Sequence, residues 1–398
     1  MKGILKRLGV CLVCLSMLAP GAMAASAEPQ GAPEPEAPSA VLMERETGAV
    51  LYAKGETERR PPASVTKVMT LLLAAEAVDS GALDLDEKVR ASANAASMGG
   101  SQIWLEEGEE LSVAELIKCV AVVSANDCAV ALAERIAGSE AAFVERMNER
   151  AAELGLENTR FTNCTGLFDD TGHYSCALDI ARMSCELLGH EWIREYTTIW
   201  MDSIRDGAFE LTNTNKLVRN YEGCTGLKTG YTSTAMYCLA ASAEREGTEY
   251  VAVIMHAESV ESRNRDAAAL LDYGFAGWRL CRTAEGVELP ELAVELGTAE
   301  RVGTVCDGGG AILLRVSDAQ GLERSLELPE SVAAPVQTGQ RLGTLVLSNG
   351  SGRLAEIPVL AAESVPRLGA AGVFLRMLGL LAGLSGGSGE SAGAFGGL

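Results

Sequence analysis

The chain has 398 residues, 47% of them hydrophobic and 22% charged, a globular composition too long for one ordinary core, so two or more domains are expected. Its formal net charge of -21 excludes a nucleic-acid partner, because phosphate backbones need clustered Lys and Arg. Eleven cysteines are present; two sit in the N-terminal segment and the other nine form no C-x-x-C pair, so no essential bridge is expected. Cys119, Cys128 and Cys238 lie in apolar runs, where cysteine behaves as a small core hydrophobe.

In chain order, Lys2, Lys6 and Arg7 form a basic head, Leu8 to Leu18 an apolar stretch, and small residues follow through Ala27. This is the layout of a secretory signal over residues 1–27, cleaved after Ala24 or Ala27 and too short to favour spanning. Residues 28–38, "EPQGAPEPEAP", read as a flexible, Pro-rich acidic leader. "SAVLMERETGAVLYAK" predicts an opening hairpin, and helical patterns then dominate from Ser64 to about Gly189. Within "SVAELIKCVAVVSANDCAVALAERIAG" two helical halves meet at Ser124 to Asn126. "YCLAASAE" and "EYVAVIMHAE" predict strands joined at a turn containing Gly247, and "VESRNRDAAALLDYGFAGW" a closing helix. Strands at both ends with helices between them predict an α+β domain over residues 39–280. Short strand-like runs between Gly, Ser and Asp turns predict a small β-rich domain over 289–362. An amphipathic helix over 366–385 and a Gly/Ser-rich tail over 386–398 close the chain.

The chemistry concentrates in "PPASVTKVMTLLLAAEA". Ser64 and Lys67 stand at i and i+3, neighbours on a helix, and the prolines place Ser64 in the first turn, where free N–H groups favour developing negative charge. A serine hydroxyl needs a base to become a nucleophile. A lysine can be that base only when neutral, against an ordinary pKa of about 10.4. Burial and a second cation would each lower it. "VVSANDCAV" offers Ser124 and Asn126 at a helix junction, which must turn to present both side chains. "GLKTGYTSTAMYCLAAS" offers Lys228 as the second cation, on a strand where Gly230 lets a ligand pair along the edge.

The ordered trio S-x-x-K, S-x-N and K-T-G resembles the serine penicillin-binding enzymes, including β-lactamases. The flanking text "ETGAVLYAK", "SMGGSQIWLEEGE", "FTNCTGL" and "GLKTGYT" is similar to that of the D-alanyl-D-alanine carboxypeptidases, the low-molecular-mass penicillin-binding proteins, over nearly the whole chain. The resemblance implies a serine β-lactamase/transpeptidase-like domain, an antiparallel sheet with a helical region, that acts on peptidoglycan stem pentapeptides and is acylated by β-lactams. It implies Ser64 as nucleophile, Lys67 as its base and Ser124 as relay to the leaving amine. Asn126 would hold the substrate amide; Lys228 and Thr229 would meet the terminal carboxylate beside Gly230. The N–H groups of Ser64 and Tyr231 would form the oxyanion hole. It also implies a helix lying on the outer face of the cytoplasmic membrane. Thr165 stands where family members often carry an apolar or histidine residue.

The competing readings are a class A-like β-lactamase, a non-catalytic β-lactam or wall-peptide sensor, and a transpeptidase on the same fold. A β-lactamase would carry S-D-N and a loop Glu, whereas Ala125 is the middle residue here and Glu157 sits in no E-x-x-x-N loop. His173, His190 and His256 are isolated, with no H-x-x-x-H, so neither a zinc site nor any other cofactor is expected.

Overall fold

Apolar residues alternate along Ser39–Glu44, sending Val41 and Met43 to one face of a sheet and Ala40 and Leu42 to the other. The computed structural model describes residues 31–167, 170–307 and 310–381, so the expected signal segment and the Gly/Ser tail lie outside the described residues. In it β1 (Ser39–Glu44), β2 (Val50–Lys54), β3 (Cys224–Thr232), β4 (Met236–Arg245) and β5 (Thr248–Ala257) form an antiparallel sheet in the order β2-β1-β5-β4-β3. The predicted opening hairpin is β1–β2, and the β4–β5 turn passes through Gly247 at φ 74°.

Both faces of the sheet are covered. Tyr250, Ala252 and Ile254 of β5 pack under α6 (Val260–Gly277) with Leu270 and Leu271, while Val251, Val253 and Met255 face the helical region. That region holds α1 (Lys67–Asp79), α2 (Val113–Val122), α3 (Asn126–Ala137), α4 (Glu140–Glu153) and α5 (Ala177–Gly189). Helix α1 is buried on nearly every side from Lys67 to Ala75, as an all-round apolar helix must be. Helix α2 opens on a capping box between Ser112 and Glu115, and α3 closes on Gly138 at φ 83°. Strand β3, which carries the K-T-G run, is the sheet's edge and pairs with β4 alone among the described strands.

Two expectations need correction. The helix does not begin at Ser64: a 3₁₀ turn spans Ala63–Thr66, and α1 starts at Lys67. The leader is not free through Pro38: Ala37 is buried, its N–H donates to Asp266 Oδ2 at 3.0 Å, and Lys54 Nζ donates to the Pro35 carbonyl at 2.6 Å. Composition marks that segment as unable to build a core, yet it docks on one already formed.

After α6, Trp278–Arg282 pairs antiparallel with Ala311–Arg315. Strands Thr304–Cys306, Gly352–Ala361, Arg341–Asn349 and Glu323–Glu327 form a four-stranded sheet in that order. A three-stranded sheet joins Leu292–Glu295 to Arg301–Val302 and, in parallel, to Ser331–Ala333. The described chain ends in α7 (Ala370–Leu381). Cys119, Cys128 and Cys238 are fully buried, and all nine described cysteines are free thiols.

Candidate active site

The 3₁₀ turn explains how Ser64 meets Lys67. With three residues per turn, side chains at i and i+3 eclipse, and Lys67 Nζ lies 3.0 Å from Ser64 Oγ. The turn is braced from below. Ala63 takes φ 48°, and Gly166, at φ 70°, lies so close that a Cβ there would stand 1.9 Å from the Ala63 carbonyl oxygen. His173 Nδ1 accepts from the Thr162 N–H at 3.0 Å, which puts its proton on Nε2, 2.7 Å from Thr66 Oγ1 in the same turn.

Lys67 is fully buried, and its Nζ also lies 2.6 Å from Asn126 Oδ1 and 2.8 Å from the Thr165 carbonyl. Burial pulls its pKa from 10.5 down to about 7, against the attraction of Cys164 and Asp127. Burial likewise pushes the Cys164 thiol well up, so it stays protonated near neutrality. A neutral form of Lys67 is therefore accessible near pH 7. An ammonium donates to all three neighbours. A neutral amine has two hydrogens, which the two carbonyl oxygens take, and its lone pair then faces the Ser64 hydroxyl. That is the arrangement a general base requires.

The junction of α2 and α3 presents Ser124 and Asn126 as the spacing demands. Ser124 adopts φ 65°, a left-handed conformation costing about 1–2 kcal/mol for a residue with a Cβ. Its Oγ is buried without a hydrogen-bond partner among the described residues. An orphaned hydroxyl on a strained residue is poised for a ligand. Asn126 Nδ2 donates to the Gly99 carbonyl at 2.7 Å, leaving one amide hydrogen for another acceptor.

Opposite stands β3. A Cβ at Gly230 would lie 2.8 Å from the Pro62 carbonyl oxygen and 3.0 Å from the N atoms of Ser64 and Val65. Glycine is thus required here for the nucleophile turn to approach the strand, a demand from the protein itself and not only from a ligand. Thr229 Oγ1 donates to Thr214 Oγ1 at 2.7 Å, and exposed Tyr231 stacks on Tyr237 with ring centroids 4.5 Å apart. Lys228 is buried and donates to the Thr229 carbonyl at 3.0 Å. Burial holds its pKa well below the ordinary lysine value, with repulsion from Lys67 and Arg263 adding to it. Burial is the main cause of the shift at Lys67, and repulsion between Lys67 and Lys228 adds to burial at Lys228.

Ser64, Ser124, Thr229, Gly230 and Tyr231 line one cleft of about 390 Å³, with Asn126, Lys67 and Lys228 immediately behind it. Sequence reading missed three contributors. Arg263 lines the cleft, and burial lowers its pKa to about 10. Thr165 acts through its carbonyl, and His173 through the nucleophile turn. Glu157 is exposed and does not line the cleft, so it does not supply the water-activating group that the β-lactamase reading requires.

The profile described as D-alanyl-D-alanine carboxypeptidase matches residues 24–259, and that of the penicillin-binding protein 5 C-terminal domain matches 283–367. The chain is 44% identical over 346 residues to D-alanyl-D-alanine carboxypeptidase DacF of Bacillus subtilis, covering 84% of this chain and 87% of that protein. Against DacC of Escherichia coli, another D-alanyl-D-alanine carboxypeptidase, identity is 30% over 91% of this chain and 92% of the other. Penicillin binding protein 5 from Haemophilus influenzae superposes with a TM-score of 0.73 at 29% identity, over 84% of this chain and 99% of that one. The chain belongs to the D-alanyl-D-alanine carboxypeptidase family of serine peptidases, the low-molecular-mass penicillin-binding proteins.

Proposed function

We propose that this chain is a serine-type D-alanyl-D-alanine carboxypeptidase that trims the terminal D-alanine from peptidoglycan stem pentapeptides through an acyl-enzyme at Ser64. The observation that carries the reading is the buried Lys67 amine, 3.0 Å from Ser64 Oγ, with two carbonyl acceptors for its two hydrogens. Ser64 Oγ attacks the carbonyl between the two terminal D-alanines while Lys67 takes its proton. The N–H groups of Ser64 and Tyr231 stabilise the oxyanion, the largest electrostatic contribution in acyl transfer. Ser124 passes a proton to the leaving amine, D-alanine departs, and water hydrolyses the ester. Asn126 holds the substrate amide on one wall and the β3 edge at Gly230 holds it on the other. Lys228 and Thr229, joined by Arg263, receive the terminal carboxylate. β-Lactams, which present the same amide and carboxylate, acylate the same hydroxyl.

In this reading residues 39–280 form the peptidase domain, 289–362 the small β-domain, and 1–27 a signal that exports the chain. No helix among the described residues is long and apolar enough to cross a membrane. Helix α7 instead lies on the outer face of the cytoplasmic membrane. Its Arg376 donates to Glu300 at 2.8 Å on the small domain, while Phe374, Leu375, Met377 and Leu378 are exposed. Such a helix binds by buried apolar area.

The test is product analysis on a stem pentapeptide ending in D-Ala-D-Ala, with and without an amine acceptor. Free D-alanine and tetrapeptide should appear in both reactions. Release only when the amine is present, with the amine joined to the peptide, would make the protein a transpeptidase.

A further inference from the structure

The neutral Lys67 amine has two hydrogens, and the direction of its lone pair depends on where its two carbonyl acceptors stand. Asn126 Oδ1 is one, and the Thr165 carbonyl, 98 residues along the chain, is the other. The Thr165 segment is bent to serve α1. Asn163 Oδ1 accepts from the N–H groups of Thr165 and Gly166 at 3.1 and 2.6 Å, a turn made by its own side chain. Two successive carbonyls then meet one face of the helix. The Cys164 carbonyl accepts from Thr70 Oγ1 at 2.6 Å, and the Thr165 carbonyl accepts from Lys67 Nζ at 2.8 Å. The downstream end of the segment is fixed where Gly166 meets the Ala63 carbonyl.

The upstream end is tied by a side chain. His173 is buried, takes the Thr162 N–H on Nδ1 at 3.0 Å, and sets Nε2 2.7 Å from Oγ1 of Thr66, the residue just before Lys67. Its backbone belongs to a short strip between the two parts it joins. Tyr174 exchanges hydrogen bonds of 2.8 and 3.0 Å with Arg160, and Ser175 exchanges hydrogen bonds of 2.8 and 3.0 Å with Arg60, in the lead-in to Ser64. Phe161 packs edge-on against the imidazole, with ring centroids 5.8 Å apart, so the ring has little room to turn. A neutral imidazole carries one acceptor and one donor on a rigid ring, which suits it to hold an N–H and a hydroxyl at fixed separation. We infer that His173 is a positioning residue for the general base. By fixing Thr162 against Thr66 it keeps the Thr165 carbonyl on Lys67 Nζ, so that the lone pair of the amine faces Ser64 Oγ. This rests on the peptidase reading above and deepens it. His173 does not line the cleft, so it acts on the rate of acylation and not on the binding of the ligand. Without the tie the carbonyl drifts, an amine hydrogen turns to Ser64 Oγ, and the lone pair points away.

The test separates binding from acylation by following penicillin capture over a range of drug concentrations and pH. Rates are expressed per active site, counted by the penicillin finally bound, so that misfolded protein is excluded. On the plateau above the Lys67 midpoint, His173→Leu should acylate about 10- to 10²-fold more slowly, the size expected when a reacting group is misplaced by about 1 Å. The dissociation constant of the noncovalent penicillin complex should stay unchanged, and higher pH should not recover the rate, because the lone pair is present but misdirected. His173→Gln, whose amide offers one acceptor and one donor, should restore most of it. Thr66→Val removes the same tie from the other side at nearly constant volume and should match His173→Leu. The double variant should be no slower than either single one. Should His173→Leu fail to fold, Thr66→Val decides the matter. A plateau at the wild-type level, a loss confined to binding or to the number of active sites, or losses that multiply in the double variant would overturn the inference. The peptidase reading depends only on wild-type release of D-alanine, so the two can fail separately.

Discussion

Lys67 can serve two protonation states with the same three neighbours, and only the neutral one leaves a lone pair for Ser64. Its pKa, brought from 10.5 to about 7 by burial, sets where that state takes over. Below pH 7 the ammonium predominates and cannot accept a proton; above it the amine is free. The rate of penicillin acylation should therefore rise with pH and level off through about 7, reporting the free enzyme's base. Lys67→Ala should lower acylation by about 10²- to 10⁴-fold, the usual contribution of a general base. Lys228→Ala should slow acylation by removing a carboxylate ligand yet leave the midpoint near 7, because burial is the main cause of the Lys67 shift. A limb near pH 10, or one that climbs in Lys228→Ala, would show that burial is not the cause.

At the scale of elements, the motif spacings carried their geometry because local periodicity determines it. Three residues along a 3₁₀ or α turn bring a serine over a lysine, and a junction between two helices turns Ser124 and Asn126 to one side. What stayed illegible acts across the chain. His173 braces the nucleophile turn through Thr66, 107 residues away, and Thr165 contributes a backbone carbonyl that any residue type would supply. Gly166 is demanded by its approach to Ala63, which no local pattern announces. Helix α7 shows the opposite case. Its sequence alone implied an amphipathic helix without saying which face would turn inward, and the structure turns Arg376 toward the small domain and the bulky apolar residues outward. The full mature chain should float with phospholipid vesicles even in high salt, since apolar area does not respond to screening. A chain lacking residues 366–398 should stay in solution with its peptidase activity intact. Full-length protein remaining in the supernatant would remove the anchor role.

For the whole molecule, the α+β plan was legible from strands at both ends of a helical stretch, and the small β-domain from its change of texture. The sheet order and the edge position of β3 were not, because strand pairing is set by contacts between residues 39–54 and 224–257 that no local window contains. That edge matters most to function. It sets Gly230 against the backbone of Ser64 and gives an extended peptide one strand to pair with. The cleft lining carries Lys216 and Arg263 and no carboxylate among the described residues, a local charge that favours anionic peptides.

The measurement closest to the central claim is the site of covalent capture. Intact protein treated with penicillin should gain one drug mass, and a tryptic digest should place it on the peptide containing "PPASVTK". Ser64→Ala, folded to the same melting temperature, should gain none. An adduct that persists in Ser64→Ala, or that maps to another peptide, would contradict the account of this cleft.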